Sequence, residues 1–170
     1  MKTALIVVDM QNDYLWEQRK AKFAYDTQKL TEAVNALIHQ YHDAGQDVIY
    51  IRHLIQNLPT NRLLFGYSIA GTPGAELYSG LDVVSKLCFD KLFSDALSNR
   101  WLREYIHSQG ITQLHLCGLD EAGCVTATAL GAVRRGLEAA VCEQGVATVL
   151  PEEKVRRARE KLQKAGVRRI

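Results

Sequence analysis

The sequence contains no apolar run long enough to cross a membrane as a helix. Asp9 interrupts ALIVVDM after a handful of residues, where a span needs about 18. An acid so early also argues against a secretory leader. The four cysteines, Cys88, Cys117, Cys124 and Cys142, show no CxxC spacing and no paired histidines. A zinc site and a disulfide framework are therefore unsupported, and a reducing cytoplasm is the expected compartment. No GxGxxG follows the first apolar run, which removes the dinucleotide-binding fingerprint. Prolines number only three, and neither an internal repeat nor a low-complexity linker is present. What remains is an ordinary globular composition, 47% apolar and 24% charged over 170 residues, enough for one domain with a full core.

Charge is unevenly spread. From Glu152 onward eight Lys or Arg face three Glu, a local excess of +5 within a chain of net +2, so the rest carries −3. A basic tail invites a nucleic-acid reading, but no aromatics are interleaved for base stacking. Pro151, Glu152 and Glu153 at the start, Lys161 and Lys164 near the end, and an apolar stripe of Val155, Ala158, Leu162 and Ala165 describe a well-terminated surface helix instead.

Periodicity supplies the order of elements. TALIVV (3–8) is a continuous aliphatic run, as suits a strand covered on both faces. A helix is predicted from Asp26 to Ala44, with Leu30, Val34, Leu37, Ile38 and Tyr41 on one face and Gly45 as its stop. DVIYI (47–51) is a second strand, and residues 54–80 form a long loop with one helical turn at 74–79. LDVVSK (81–86) is predicted as a third strand, followed by a helix from Ser94 to His107. Strands at Leu114–Cys117, Leu137–Cys142 and Val167–Ile170 complete the set. Strands alternating with helices make an α/β fold, three-layer and Rossmann-like, with a mainly parallel sheet of five or six strands.

In such sheets ligands bind beyond the carboxyl ends of the strands. Asp9 ends the first strand, Lys86 ends the predicted third, and Cys124 follows the fourth through the turn Gly118–Gly123. A cysteine opening the helix that stops at Gly136 would lie among unpaired N–H groups at a helix's positive end, which favours thiolate. An acid, a cation and a thiol thus meet at one sheet edge.

Four stretches, taken in order, resemble the isochorismatase-like cysteine hydrolases, a family that includes nicotinamidases and N-carbamoyl amidohydrolases: ALIVVDMQNDYL (4–15), GTPGAEL (71–77), VVSKLCFDKLFSDAL (83–97) and LCGLDEAGCVTATALGAVRRGL (116–137). The resemblance implies a single hydrolase domain over 1–170 and a triad of Asp9, Lys86 and Cys124. Lys86 is preferred to Lys91 because Leu97 follows it by the family's spacing of eleven residues, leaving Lys91 as a surface residue at the start of a helix. It further implies a cis peptide at Leu119–Asp120 and an oxyanion hole from the N–H groups of Asp120 and Cys124. The implied chemistry is hydrolysis of a small amide, carbamoyl or ureido C–N bond through a thioester. Gln11, Trp16 and His53 are candidate pocket residues, joined by Phe23 and Tyr25.

The chain also departs from the family. Metal-using members carry an Asp and a His just beyond the second strand, where this chain reads Ile51, Arg52, His53, Leu54, Ile55. No metal and no cofactor are therefore expected, and nicotinamide is a less favoured substrate. Asp120 and Glu121 replace a small residue and Thr; they either turn outward or favour a cationic or strongly hydrogen-bonding substrate. A vinyl-ether hydrolase is the alternative within the fold, though that branch does without the cysteine. An idle binding or assembly subunit is the alternative outside catalysis. The expected partners are a small-molecule substrate and further copies of the chain, with no nucleic acid and no membrane.

Overall fold

All 170 residues are described in the computed structural model. Six parallel strands form one sheet in the order β3-β2-β1-β4-β5-β6: β1 Thr3–Val8, β2 Asp47–His53, β3 Cys88–Lys91, β4 Gln113–Gly118, β5 Glu138–Val146 and β6 Arg168–Arg169. The central strand β1 is buried along its whole length, and its alternation divides the interior. Ala4, Ile6 and Val8 join one core; Leu5 and Val7 join the other. The second core is covered by α2 (Thr27–Asp43), through Leu30, Val34, Leu37, Ile38 and Tyr41. Asp26 caps α2 by accepting the Lys29 N–H at 3.1 Å. The first core is covered by α4 (Arg100–Ser108), α5 (Thr126–Arg134) and α6 (Glu152–Lys164). Helices on both faces of a parallel sheet make this a three-layer α/β fold. No helix is long and apolar enough to cross a membrane.

The predicted third strand is misplaced. Residues 81–87 run irregularly along the sheet edge, held by side chains: the Tyr50 hydroxyl donates to Asp82 O at 2.9 Å and accepts from Val84 N, and Ser85 Oγ donates to Val48 O at 2.6 Å. The ladder begins at Cys88, seven residues beyond the predicted start, and its last member is Lys91, not Lys86, opposite His53. Two short helices were not anticipated, α1 (Asn12–Leu15) and α3 (Pro59–Leu64). The turn expected at 74–79 is a 3₁₀ turn at Pro73–Ala75, and the helix expected from Ser94 begins at Arg100 after a second 3₁₀ turn, Ala96–Ser98.

Two glycines are dictated by close approach. Gly118 closes β4 at φ +102°, and a Cβ there would lie 2.1 Å from Val8 O. At Gly74 a Cβ would lie 2.1 Å from the Asp13 carboxylate, which instead accepts the Ser68 N–H at 2.7 Å. These contacts dock the segment 66–77 against the turn after β1.

Candidate active site

β1 ends at Val8, and Asp9 takes a left-handed conformation, φ +52°, that a non-glycine residue seldom adopts. The chain turns there while the Asp9 N–H still donates to Ile51 O at 2.9 Å. Two strands away, β3 delivers Lys91 to the same edge. Its ammonium lies 2.9 Å from Asp9 Oδ2 and donates to Cys124 Sγ at 3.1 Å. The lysine side chain is fully buried, and that of Asp9 is 5% exposed. Lys91 is therefore the cation that joins acid and thiol. Lys86, chosen from spacing, is exposed in the segment before β3 and forms no ion pair with either. The eleven-residue interval misled because the strand itself starts later than its apolar run.

Cys124 lies in a π-type turn, Glu121–Val125, ahead of α5, with Gly123 breaking the helical path at φ −112°, ψ −109°. The expectation of a resting thiolate is corrected here. Burial pushes the Cys124 thiol up to about 12, and the Asp9 charge adds to this; Lys91 opposes both and does not prevail. The resting sulfur is a thiol held beside an ion pair. Burial works against the charge on Lys91, but the neighbouring Asp9 carboxylate, with the hydrogen bond to Cys124, holds its pKa above the ordinary lysine value. Asp9 Oδ1 is buried without a hydrogen-bond partner. An acceptor atom beside a protonated thiol is thus left free.

The turn before the nucleophile is built by its two acids. The Leu119–Asp120 peptide is cis. The Asp120 N–H donates no hydrogen bond within the chain. The Asp120 carboxylate accepts from Ala122 N–H, Val149 N–H and the Tyr25 hydroxyl, each at 3.0 Å. Glu121 does turn away from the cavity, but into the protein. Its carboxylate is gripped by Arg159 of α6 at 2.8 and 3.1 Å and by Arg169 of β6 at 2.8 Å. Burial alone would raise the Glu121 pKa; the two guanidiniums outweigh it and hold it below the usual carboxylate range. The basic tail thus has an internal task alongside its solvated face, where Arg156 and Arg157 pair with Glu153.

At Cys124 opens a cavity of about 220 Å³, lined by the rings of Tyr14, Phe23, Tyr25 and Tyr67 and by Leu119, Asp120, Val149 and Leu150. Asp9 and His53 also reach it. Burial, then the Lys91 charge, lower the His53 pKa, so its imidazole is neutral at pH 7; its Nδ1 lies 3.4 Å from the Tyr14 hydroxyl. Two of the proposed pocket residues lie elsewhere. Gln11 is fully buried and works as a brace: it accepts the His53 N–H at 2.8 Å and donates to His53 O at 3.0 Å and Ala75 O at 2.7 Å. Trp16 lines a separate surface groove with Arg62 and Pro73. Tyr14 and Tyr67 were missed. Tyr14 stands three residues beyond Gln11 on the one-turn helix α1, and Tyr67 comes from the long loop, whose path carried no periodic signal.

No group of three His, Cys, Asp or Glu side chains is arranged to hold a metal ion. Beyond β2 the side chains of Leu54 and Ile55 follow His53, so the donor set does not fit a metal and no step of the chemistry below uses one.

The isochorismatase domain family matches residues 3–169. The crystal structure of a nicotinamidase from Bacillus subtilis superposes with a TM-score of 0.84 at 25% identity, covering 99% of both chains. An N-carbamoylsarcosine amidase from Thermoplasma acidophilum shares the fold, with a TM-score of 0.83 at 24% identity over 99% of this chain and 95% of that one. In sequence, a probable inactive nicotinamidase of Arabidopsis thaliana is 26% identical over 152 residues, covering 77% of this chain and 72% of that protein. The chain belongs to the isochorismatase family. Its class is that of a hydrolase.

Proposed function

We propose that the protein hydrolyses the C–N bond of a small amide, carbamoyl or ureido compound, with Cys124 as nucleophile, Asp9 as general base and then acid, and Lys91 as the cation between them. The observation that carries this reading is Lys91 bridging Asp9 and Cys124, both of which line the cavity, while Asp9 Oδ1 has no partner. A thiol near 12 is unreactive alone, so attack on the carbonyl is coupled to proton transfer from sulfur to Asp9. Lys91 offsets the charge that passes from carboxylate to sulfur. The developing oxyanion is received by the free N–H of Asp120 and the N–H of Cys124, each such donor contributing about 3–4 kcal/mol. As the C–S bond completes and the C–N bond breaks, Asp9 returns its proton to the leaving amine. Water, deprotonated by Asp9, then adds to the thioester carbonyl, and the C–S bond breaks to release the acid and restore the thiol.

A screen of aromatic amides, carbamoyl amino acids and ureido acids for ammonia or amine release tests the reading. Intact mass should capture an acyl group on Cys124, and Cys124→Ala should abolish turnover with its unfolding midpoint preserved. Full activity in that variant refutes the assignment. The second reading is an idle member that binds without turnover. It is favoured by the high thiol pKa and by the similarity to a protein described as probably inactive. Absence of any acyl adduct across the screen, with ligands still binding, would select it.

A further inference from the structure

We infer that the cavity above Cys124 selects a small amide whose far end carries an ammonium or similar cationic nitrogen. The inference rests on the amidase reading for the near end of the ligand. Its own warrant lies in the charges that face the cavity.

The Asp9 carboxylate is paired with Lys91. Asp120 also lines the cavity, yet its three hydrogen-bond partners, two backbone N–H groups and the Tyr25 hydroxyl, are all neutral. Its charge is therefore solvated by dipoles and matched by no counter-ion in contact. In a small cavity with apolar and aromatic walls such a charge acts over a longer range than in water. Three rings that also line the cavity form a herringbone: Tyr14 to Phe23 at 4.8 Å and Phe23 to Tyr67 at 5.0 Å, both edge to face. Ring faces attract cations, and two of these rings already hold one. Lys22 Nζ, from outside the cavity, sits 4.1 Å from the Tyr67 centroid and 4.9 Å from that of Phe23. The cavity volume, about 220 Å³, is below the range of drug-sized sites, so the ligand is small, and Cys124 and Asp120 both line the space it would fill. Lys22 is exposed, and its repulsion of a cationic ligand is weakened by solvent and salt.

A congeneric series decides the matter. The Cys124→Ala protein, which keeps the cavity and prevents turnover, is titrated calorimetrically with 4-(aminomethyl)benzamide, benzamide and 4-carbamoylbenzoate. The cation should bind about tenfold more tightly than the neutral amide, and the anion more weakly than either. Adding Asp120→Asn, which keeps the cap acceptor and removes the charge, should collapse the ratio between cation and neutral amide. Adding Lys22→Met should tighten the cation further. Equal binding of all three, preference for the carboxylate, a ratio that survives Asp120→Asn, or no binding by any of them overturns the inference. Ammonia release from the same compounds by the unmodified protein separates the two claims. Turnover without charge preference ends this inference alone; charge preference with no turnover here and no acyl adduct across the amide, carbamoyl and ureido screen ends the amidase reading alone.

Discussion

Replacing Lys91 by Met tests both the identity of the buried cation and the physics of its pairing. At 2.9 Å the attraction to Asp9 is about 6 kcal/mol at an effective dielectric near 20. Desolvation of two groups, one fully buried and the other 5% exposed, consumes much of that. Deleting the cation alone strands a buried carboxylate whose other oxygen already lacks a partner, so the cost should be about 3–5 kcal/mol. Urea unfolding followed by far-UV circular dichroism measures it. Lys86→Met, on the exposed segment before β3, should stay within about 0.5 kcal/mol of the unaltered protein. The double variant Asp9→Asn, Lys91→Met should recover part of the lost stability, since no uncompensated charge remains, but none of the activity. With a substrate in hand, Lys91→Met should lower kcat/KM by about 10²–10⁴-fold and Lys86→Met should not. Loss of activity in Lys86→Met with retention in Lys91→Met would refute the reasoning at its centre.

Two further outcomes follow from the perturbed groups. Alkylation of Cys124 by iodoacetamide in the ligand-free protein should be slow at pH 7 and rise about tenfold per pH unit through pH 10, because the thiol titrates near 12; peptide mass mapping reads it, and a plateau below pH 8 would contradict a resting thiol. Glu121 has a folded pKa below its unfolded value, so its contribution to stability is complete above the unfolded value and is lost as pH falls through the folded one. Glu121→Gln should therefore be less stable than the parent at pH 7, by about 1–3 kcal/mol, and the gap should close below about pH 4; a gap unchanged down to pH 3 would mean the carboxylate charge is not what the two arginines hold.

The order of elements was legible because hydrophobic patterning reports it directly. TALIVV is buried on both faces as a parallel central strand must be, and α2 follows its 3.6-residue stripe. Asp9 and Cys124 were legible because each is tied to the end of a well-marked strand. Lys91 was not. LDVVSK has the stronger β propensity, but the pairing edge of β2 is occupied further on, and propensity yields to tertiary context. The available signal was the alternation in CFDK: Cys88 and Asp90 face outward, Phe89 and Lys91 inward, and Asp90 meets Arg52 across the ladder at 2.8 Å. The thiol's protonation was also illegible, since it depends on how deeply the turn is buried and on which charge stands beside it. Nor could the partners of Glu121 be read from a tail whose arginines look alike until the fold selects two of them.

That selection has a practical bearing on how the protein is produced and handled. Arg169 reaches Glu121 from a two-residue strand, and Ile170 exchanges backbone hydrogen bonds with Val141 and Glu143 at 2.9 and 2.7 Å. Clipping of 168–170 by a contaminating protease would loosen an anchor of the loop that carries Cys124. Preparations in which 168–170 have been cleaved should lose specific activity in step with the cleaved fraction.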